Sequence, residues 1–170
     1  MYSRISNLFF EKLLAKGYFL FLLAVILSVN GCLPQNYTPT KTSLELQAFQ
    51  TKEFDTSKAV AFASTLSVFQ DLGYIIESGD LESGLITGKS PTNRGFVLGG
   101  ATQEYRKATG FVETIRKNMT RIRINFVDNI IASSGYGQTQ RVDTPIEEPK
   151  LYQEVFEKIE KAIFVRKNID

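Results

Sequence analysis

The chain has 170 residues, with 20 Lys and Arg against 18 Asp and Glu, one cysteine and no histidine. The lack of histidine excludes Ser-His-Asp and Cys-His catalysis, zinc sites that need histidine, and the commonest general base near neutral pH. A single cysteine excludes an internal disulfide and any zinc site built on several cysteines, so packing must hold the fold together.

Arg4, Lys12 and Lys16 precede an apolar run from Tyr18 to Leu27, the order of a charged n-region and an apolar h-region in a secretory signal. A membrane span needs about 20 apolar residues, and Ser28 and Asn30 stop this run early, so it reads as a cleaved signal. The run closes on Leu27-Ser28-Val29-Asn30-Gly31-Cys32. This segment resembles the bacterial lipoprotein signal, the lipobox: an aliphatic residue (Val29), one intervening residue, a small residue (Gly31), then the obligatory cysteine (Cys32). The resemblance implies diacylglyceryl transfer to the Cys32 sulfur, cleavage between Gly31 and Cys32, and acylation of the new amino terminus. Two or three acyl chains, at about 0.8 kcal/mol per buried methylene, hold a protein to a bilayer where one does not. Leu33 stands where an aspartate would be the familiar inner-membrane retention signal, so the resemblance also implies an outer-membrane location facing the periplasm.

With residues 1–31 assigned to the signal, 139 residues remain, enough for one domain with a real core, and they carry 17 charges of each sign. The pI of 8.6 therefore reports mostly the signal and is no nucleic-acid footprint. Residues 32–45, polar and with Pro34 and Pro39, read as a lipidated N-terminus and flexible tether. Residues 46–170 read as a single domain.

Within that domain Gln50 to Phe54 alternates as a strand, and Asp55-Thr56-Ser57 offers side-chain oxygens to a helix start. Ala59, Phe62, Ala63, Leu66, Phe69 and Leu72 make the buried stripe of that helix, and Gly73 closes it. Tyr74 to Ser78 is a strand rich in β-branched and aromatic residues, Gly79 to Gly84 reverses the chain, and Leu85 to Lys89 returns as the hairpin partner. Residues 91–110, with Gly95, Gly99 and Gly100 around Phe96-Val97-Leu98, read as a long connection holding at most one short helix. It is either a surface insertion or a mobile binding loop. Phe111 to Arg116 resumes extended structure, Lys117-Asn118-Met119 turns, and Thr120 to Val127 is the clearest strand. There Ile122, Ile124 and Phe126 alternate with Arg121, Arg123 and Asn125, one face buried and one wet. Ile130 and Ile131 continue or end it, residues 133–137 turn, and Gln138 to Asp143 is a last strand. Pro149 opens a final helix with Leu151, Tyr152, Val155, Phe156, Ile159, Ala162 and Ile163 on its apolar face. The order β-α-β-β-loop-β-β-β-α implies an α+β fold: a mostly antiparallel sheet with two helices on one face, helix-grip-like.

No motif for chemistry emerges. The acidic candidates Glu147, Glu148, Asp80, Glu82 and Asp128 are not spaced as a glycosidase pair, and residues 95–100 lack the Gly-Lys-Ser/Thr of a phosphate loop. No catalytic residue, cofactor or metal site is assigned, and no nucleic-acid partner. The contact candidates are the cluster Phe96, Val97 and Leu98, exposed unless tucked under, with Arg94, Arg106 and Lys107 flanking it. Arg121 and Arg123, with Arg116 and Lys117, form a basic patch for an anionic surface or acidic partner, or else an ordinary wet face balanced by neighbouring acids.

Four blocks, Gln50 to Thr56, Val68 to Tyr74, Gly84 to Lys89 and Leu151 to Phe156, resemble the recurring blocks of a family of small bacterial lipoproteins, over most of residues 47–165. More distantly, the layout is similar to the helix-grip domains of the BamC lipoproteins of outer-membrane β-barrel assembly. There too a helix ending in a leucine-glycine-aromatic step leads into a strand, a Gly-containing turn and another strand; this chain has one such domain where BamC has two. These resemblances imply a lipid-anchored, non-catalytic envelope module that binds or scaffolds an envelope protein partner. A carrier of a small apolar ligand between helix and sheet is the alternative.

Overall fold

A computed structural model of the protein describes residues 40–97 and 100–168, without the side chain of Val97. The signal, Cys32, Leu98 and most of the tether lie outside the described residues. Regular structure begins before residue 46, with helix α1 (Ser43–Gln50). Its start is a reciprocal capping box: the Glu45 N–H donates to the Thr42 hydroxyl at 3.3 Å, and the Thr42 N–H donates to the Glu45 carboxylate at 2.7 Å. The tether expected over residues 32–45 is therefore shortened. The strand expected from Gln50 becomes β1 (Thr51–Phe54), because Gln50 ends α1 and is buried against Tyr152, its Nε2 donating to the phenol at 3.3 Å. Helices this short are marginal alone; Phe49, its ring tilted against that of Tyr152 with centroids 5.1 Å apart, ties α1 to the last helix.

Helix α2 (Lys58–Asp71) is capped by Ser57, whose hydroxyl accepts from the Val60 N–H at 3.4 Å. Its buried residues are Ala61, Phe62, Ser64, Thr65, Val68 and Phe69, a wider arc than the expected stripe: Ala59 and Leu72 are exposed, Ala63 and Leu66 half-buried. The helix packs on two surfaces at once. Thr65 and Phe69 lie over Gly110, Phe62 and Leu66 lie over Gly79, and the adjoining side meets α3 (Pro149–Lys167), where Arg166 donates to the Ser67 hydroxyl at 2.6 Å. Small polar residues fill the arc, and the Thr65 hydroxyl is satisfied by the Ala61 carbonyl at 2.8 Å.

Seven strands form one sheet in which every pairing is antiparallel, so the α+β class with an antiparallel sheet holds. β2 (Ile75–Asp80) and β3 (Leu85–Lys89) are the expected hairpin. The long connection expected over residues 91–110 is instead sheet. β4 (Asn93–Val97) pairs with the start of β5 (Gly100–Arg116), and β5 pairs along its length with β6 (Met119–Ser134). β7 (Thr139–Pro145) pairs with the far part of β6. The apolar alternation that betrays a half-buried strand is missing from residues 91–107 because both faces there are wet, and the Gly and polar content then imitates a loop. Instead of two helices, three occur among the described residues.

β5 and β6 form a spine with two unlike halves. In the near half, β1 and β3 flank them, and Ile86, Ala108, Val112, Ile122, Ile124 and Phe126 pack against Phe62, Phe69, Tyr152, Val155, Phe156 and Ile159 of α2 and α3. In the far half, β4 and β7 take over the two edges. No hydrophobic side chain described there is fully buried. This arm is bare sheet.

Candidate functional site

The two halves meet at a bulge. β3 ends with Lys89 opposite Lys107, and β4 begins with Asn93 opposite Glu104, so Ser90, Pro91 and Thr92 face only Tyr105 and Arg106. Pro91 has no N–H to give to the ladder. Ser90 fills the gap: its N–H donates to the Arg106 carbonyl at 2.8 Å, and its hydroxyl accepts from the Arg106 N–H at 2.8 Å.

Arg106 and Asp128 stand opposite each other in the register, on the helix-facing side just beyond the helices. The pair is bidentate, Nε to Oδ1 at 2.7 Å and Nη2 to Oδ2 at 3.1 Å; the Asp128 hydrogen bonds raise the guanidinium pKa above its ordinary value. Tyr74 closes the near side, its ring stacked 5.8 Å from Phe126. Burial pushes its phenol above the ordinary tyrosine range, against the pull of Arg106, so it is a hydrogen-bond donor throughout the neutral range. With Leu72, Asn93, Glu104, Tyr105, Asn129 and Ile130 these residues line an open pocket of about 430 Å³. Asn129 is buried, its Nδ2 donating to the Val127 carbonyl at 2.9 Å and its Oδ1 accepting from Arg141 at 2.9 Å. The pocket offers phenol, amide and carboxylate groups, with the one guanidinium already engaged. That is equipment for recognising a polar group. A second groove, about 510 Å³, runs between α2 and α3, floored by Val68, Ala162 and Val165 and rimmed by Asp71, Lys158, Lys161 and Arg166.

The residues singled out in the sequence are not brought together. Phe96 is 84% exposed on β4, as the cluster reading expects, but it lies on the open face of the sheet, whereas Arg106 points to the helix side. Val97 ends β4, and Leu98 lies outside the described residues. Arg121 sits in register between Glu53 and Glu113 and bonds both, at 2.8 and 3.3 Å, so the basic patch is in part balanced by neighbouring acids. Arg123 is exposed on the same open face as Phe96. From Arg123 to Ser133, whose partner Ala101 pairs with Phe96, is ten residues along β6, about 33 Å at the usual rise. These candidates form no common surface. Tyr74 was missed as a site residue because its place beside Arg106 comes from packing on Phe126, and Asp128, weighed in the sequence only as an acid for catalysis, because only the β5/β6 register sets it against Arg106. Tyr136, 98% exposed, had a signal: it is the one large side chain in a turn of Ser and Gly.

Among the described residues no helix is long and apolar enough to cross a membrane, and no group of three or more Cys, Asp or Glu side chains is placed to hold a metal ion. In comparisons with known proteins, no family model matches the chain and no curated protein matches it.

Proposed function

We propose that the chain is a bacterial envelope lipoprotein, anchored through acyl chains on Cys32 at the outer membrane facing the periplasm, whose α+β domain is a non-catalytic binding or scaffolding module. One observation carries this reading: the only cysteine of the chain stands directly after Val29-Asn30-Gly31, at the end of a charged-then-apolar leader. The domain fits the role in its own terms, since the junction pocket gathers recognition groups around a guanidinium that is already paired.

The carrier reading gains no support from the space between helices and sheet. That layer is filled by Phe69, Phe126, Tyr152, Ile86, Ile122, Ile124 and Ile159, each 1% exposed or less. Metabolic labelling with a fatty acid tests the anchor. The wild-type chain takes up label and is shortened by the signal, while Cys32→Ser remains an unlabelled precursor; label retained by the serine variant would sink the reading.

A further inference from the structure

The far end of the arm has two adjacent parts, one where β4 ends at Val97 and β5 begins at Gly100, the other the turn joining β6 to β7. Gly100 pairs with Ser134, and Ser133 pairs with Thr139, so the start of β5 and the start of β7 stand at the same level of the sheet. Phe96 flanks the first and Tyr136 tips the second, 84% and 98% exposed. The turn is hydrogen-bonded: the Ser134 N–H donates to the Gln138 carbonyl at 2.8 Å, and the Gly137 N–H to the Ser134 carbonyl at 3.1 Å. Gly137 takes the positive φ of +80° that such a turn requires. Tyr136 is thus held outward on closed backbone.

The end of the arm also has an unusual charge pattern. Residues 93–103 and 130–142 contain no Asp or Glu, and their only charges are Arg94 and Arg141. Arg141 is engaged by Asp143 at 2.8 Å, whereas Arg94 has no ion pair among the described residues. Aromatic side chains with cations and no acids suit the surface of an anionic bilayer.

The first described residues lie within reach of the tip. Thr40 is hydrogen-bonded to Glu147, which follows Ile146, whose N–H donates to the Phe126 carbonyl at 2.9 Å. The tether therefore leaves from the level where the arm begins. Seven residues of β6 separate Val127 from Ser134, about 23 Å; the eight steps from Cys32 to Thr40 reach at most about 29 Å. An anchor at Cys32 and the tip of the arm can meet one lipid surface.

We infer that the end of the arm is a second membrane contact, in which Phe96 and Tyr136 enter the interface of an anionic bilayer and Arg94 meets its headgroups. The inference rests on the lipoprotein reading for its geometry, not for its chemistry. The chain has no tryptophan, so one introduced indole reports alone. Full-length protein carrying Phe96→Trp, Tyr136→Trp or, as the control on the helix-backed half, Phe111→Trp is reconstituted in phosphatidylethanolamine–phosphatidylglycerol vesicles with plain or brominated acyl chains. At both tip positions brominated chains should remove about half the emission, while Phe111→Trp is unchanged. Unquenched tip indoles in protein whose mass includes the acyl chains would overturn the second contact and leave the anchor standing. Quenching in protein whose mass shows no acyl group would uphold the contact and remove the anchor. A blue shift in native envelope membranes with no response to brominated chains would mean that a protein covers the tip, and would overturn the inference.

Discussion

β5 and β6 are one pair of strands in one register, yet their two halves are held by different forces. In the near half Ile122, Ile124 and Phe126 are at most 1% exposed beneath α2 and α3, while in the same strand Ile130, beyond the helices, is 40% exposed. Burial specifies the near half, at about 25 cal/mol for each Å² of apolar surface removed from water. The far half depends on backbone ladders and on cross-strand polar pairs such as Arg106 with Asp128 and Arg141 with Asn129. The partly exposed Arg106–Asp128 ion pair contributes only about 0–1 kcal/mol. One strand pair therefore carries a region resistant to opening and a region free to present its surface.

The largest test of this contrast is truncation at matched positions of β6. Ile124→Ala should destabilise the domain by about 2–5 kcal/mol in urea titration, because the cavity under α2 and α3 cannot close. Ile130→Ala should stay below about 1 kcal/mol. Leu66→Ala belongs between them, since Leu66 is half-buried over Gly79. Exposed Arg123→Ala should cost least. Equal costs for the two isoleucines would erase the distinction between the halves.

Two glycines sharpen it further. A Cβ on Gly84 would lie 2.0 Å from the Val112 carbonyl oxygen, and one on Gly100 would lie 2.0 Å from the Ser133 carbonyl oxygen. The clashes are alike and the settings differ. Gly84 also holds φ at +80° and accepts the Val112 N–H at 2.9 Å, so Gly84→Ala strains the helix-backed half and should cost about 2–3 kcal/mol globally. Gly100→Ala should open only the end of the arm: faster hydrogen exchange across residues 100–104 and 130–134, with an almost unchanged urea midpoint. A large midpoint shift from Gly100→Ala would show that the arm and the core unfold as one unit.

The same division explains what the sequence disclosed. The face of α3 was legible from its spacing, and Tyr152, Val155, Phe156, Ile159 and Ile163 are all buried. Ile122, Ile124 and Phe126 were legible because one wet face and one dry face produce alternation. The arm was not, because Thr102, Gln103, Glu104 and Arg106 lie in a strand with no fully dry face, where residue type carries no orientation. α1 is short and polar, but its Thr42-Ser43-Leu44-Glu45 capping box was a readable start signal. The junction pocket was hidden for a further reason. Arg106 and Asp128 are 22 residues apart, and only the turn at Asn118, with its φ of +57°, sets the register that joins them.

The smallest expected effect concerns acid, and it sits in the helix-backed half. The Asp80 carboxylate accepts from the Ser83 N–H at 3.0 Å and the Glu82 N–H at 3.2 Å, closing the turn between β2 and β3. Hydrogen bonds from Ser83, then Glu82, lower its pKa below 3.8; those from Thr42 lower that of Glu45 below 4.5. A carboxylate whose folded pKa is depressed contributes stability that is fully present above its unfolded pKa and is lost as pH falls through the folded value. The turn and the α1 cap should therefore hold through neutral pH and loosen only as the pH drops below about 4. Carbon-detected NMR titration of the two carboxyls should place both midpoints below their ordinary values, and Asp80→Asn should flatten the acid dependence of exchange in residues 80–85 alone. A normal midpoint for Asp80 would mean that the turn is held by the Gly84 backbone without its carboxylate.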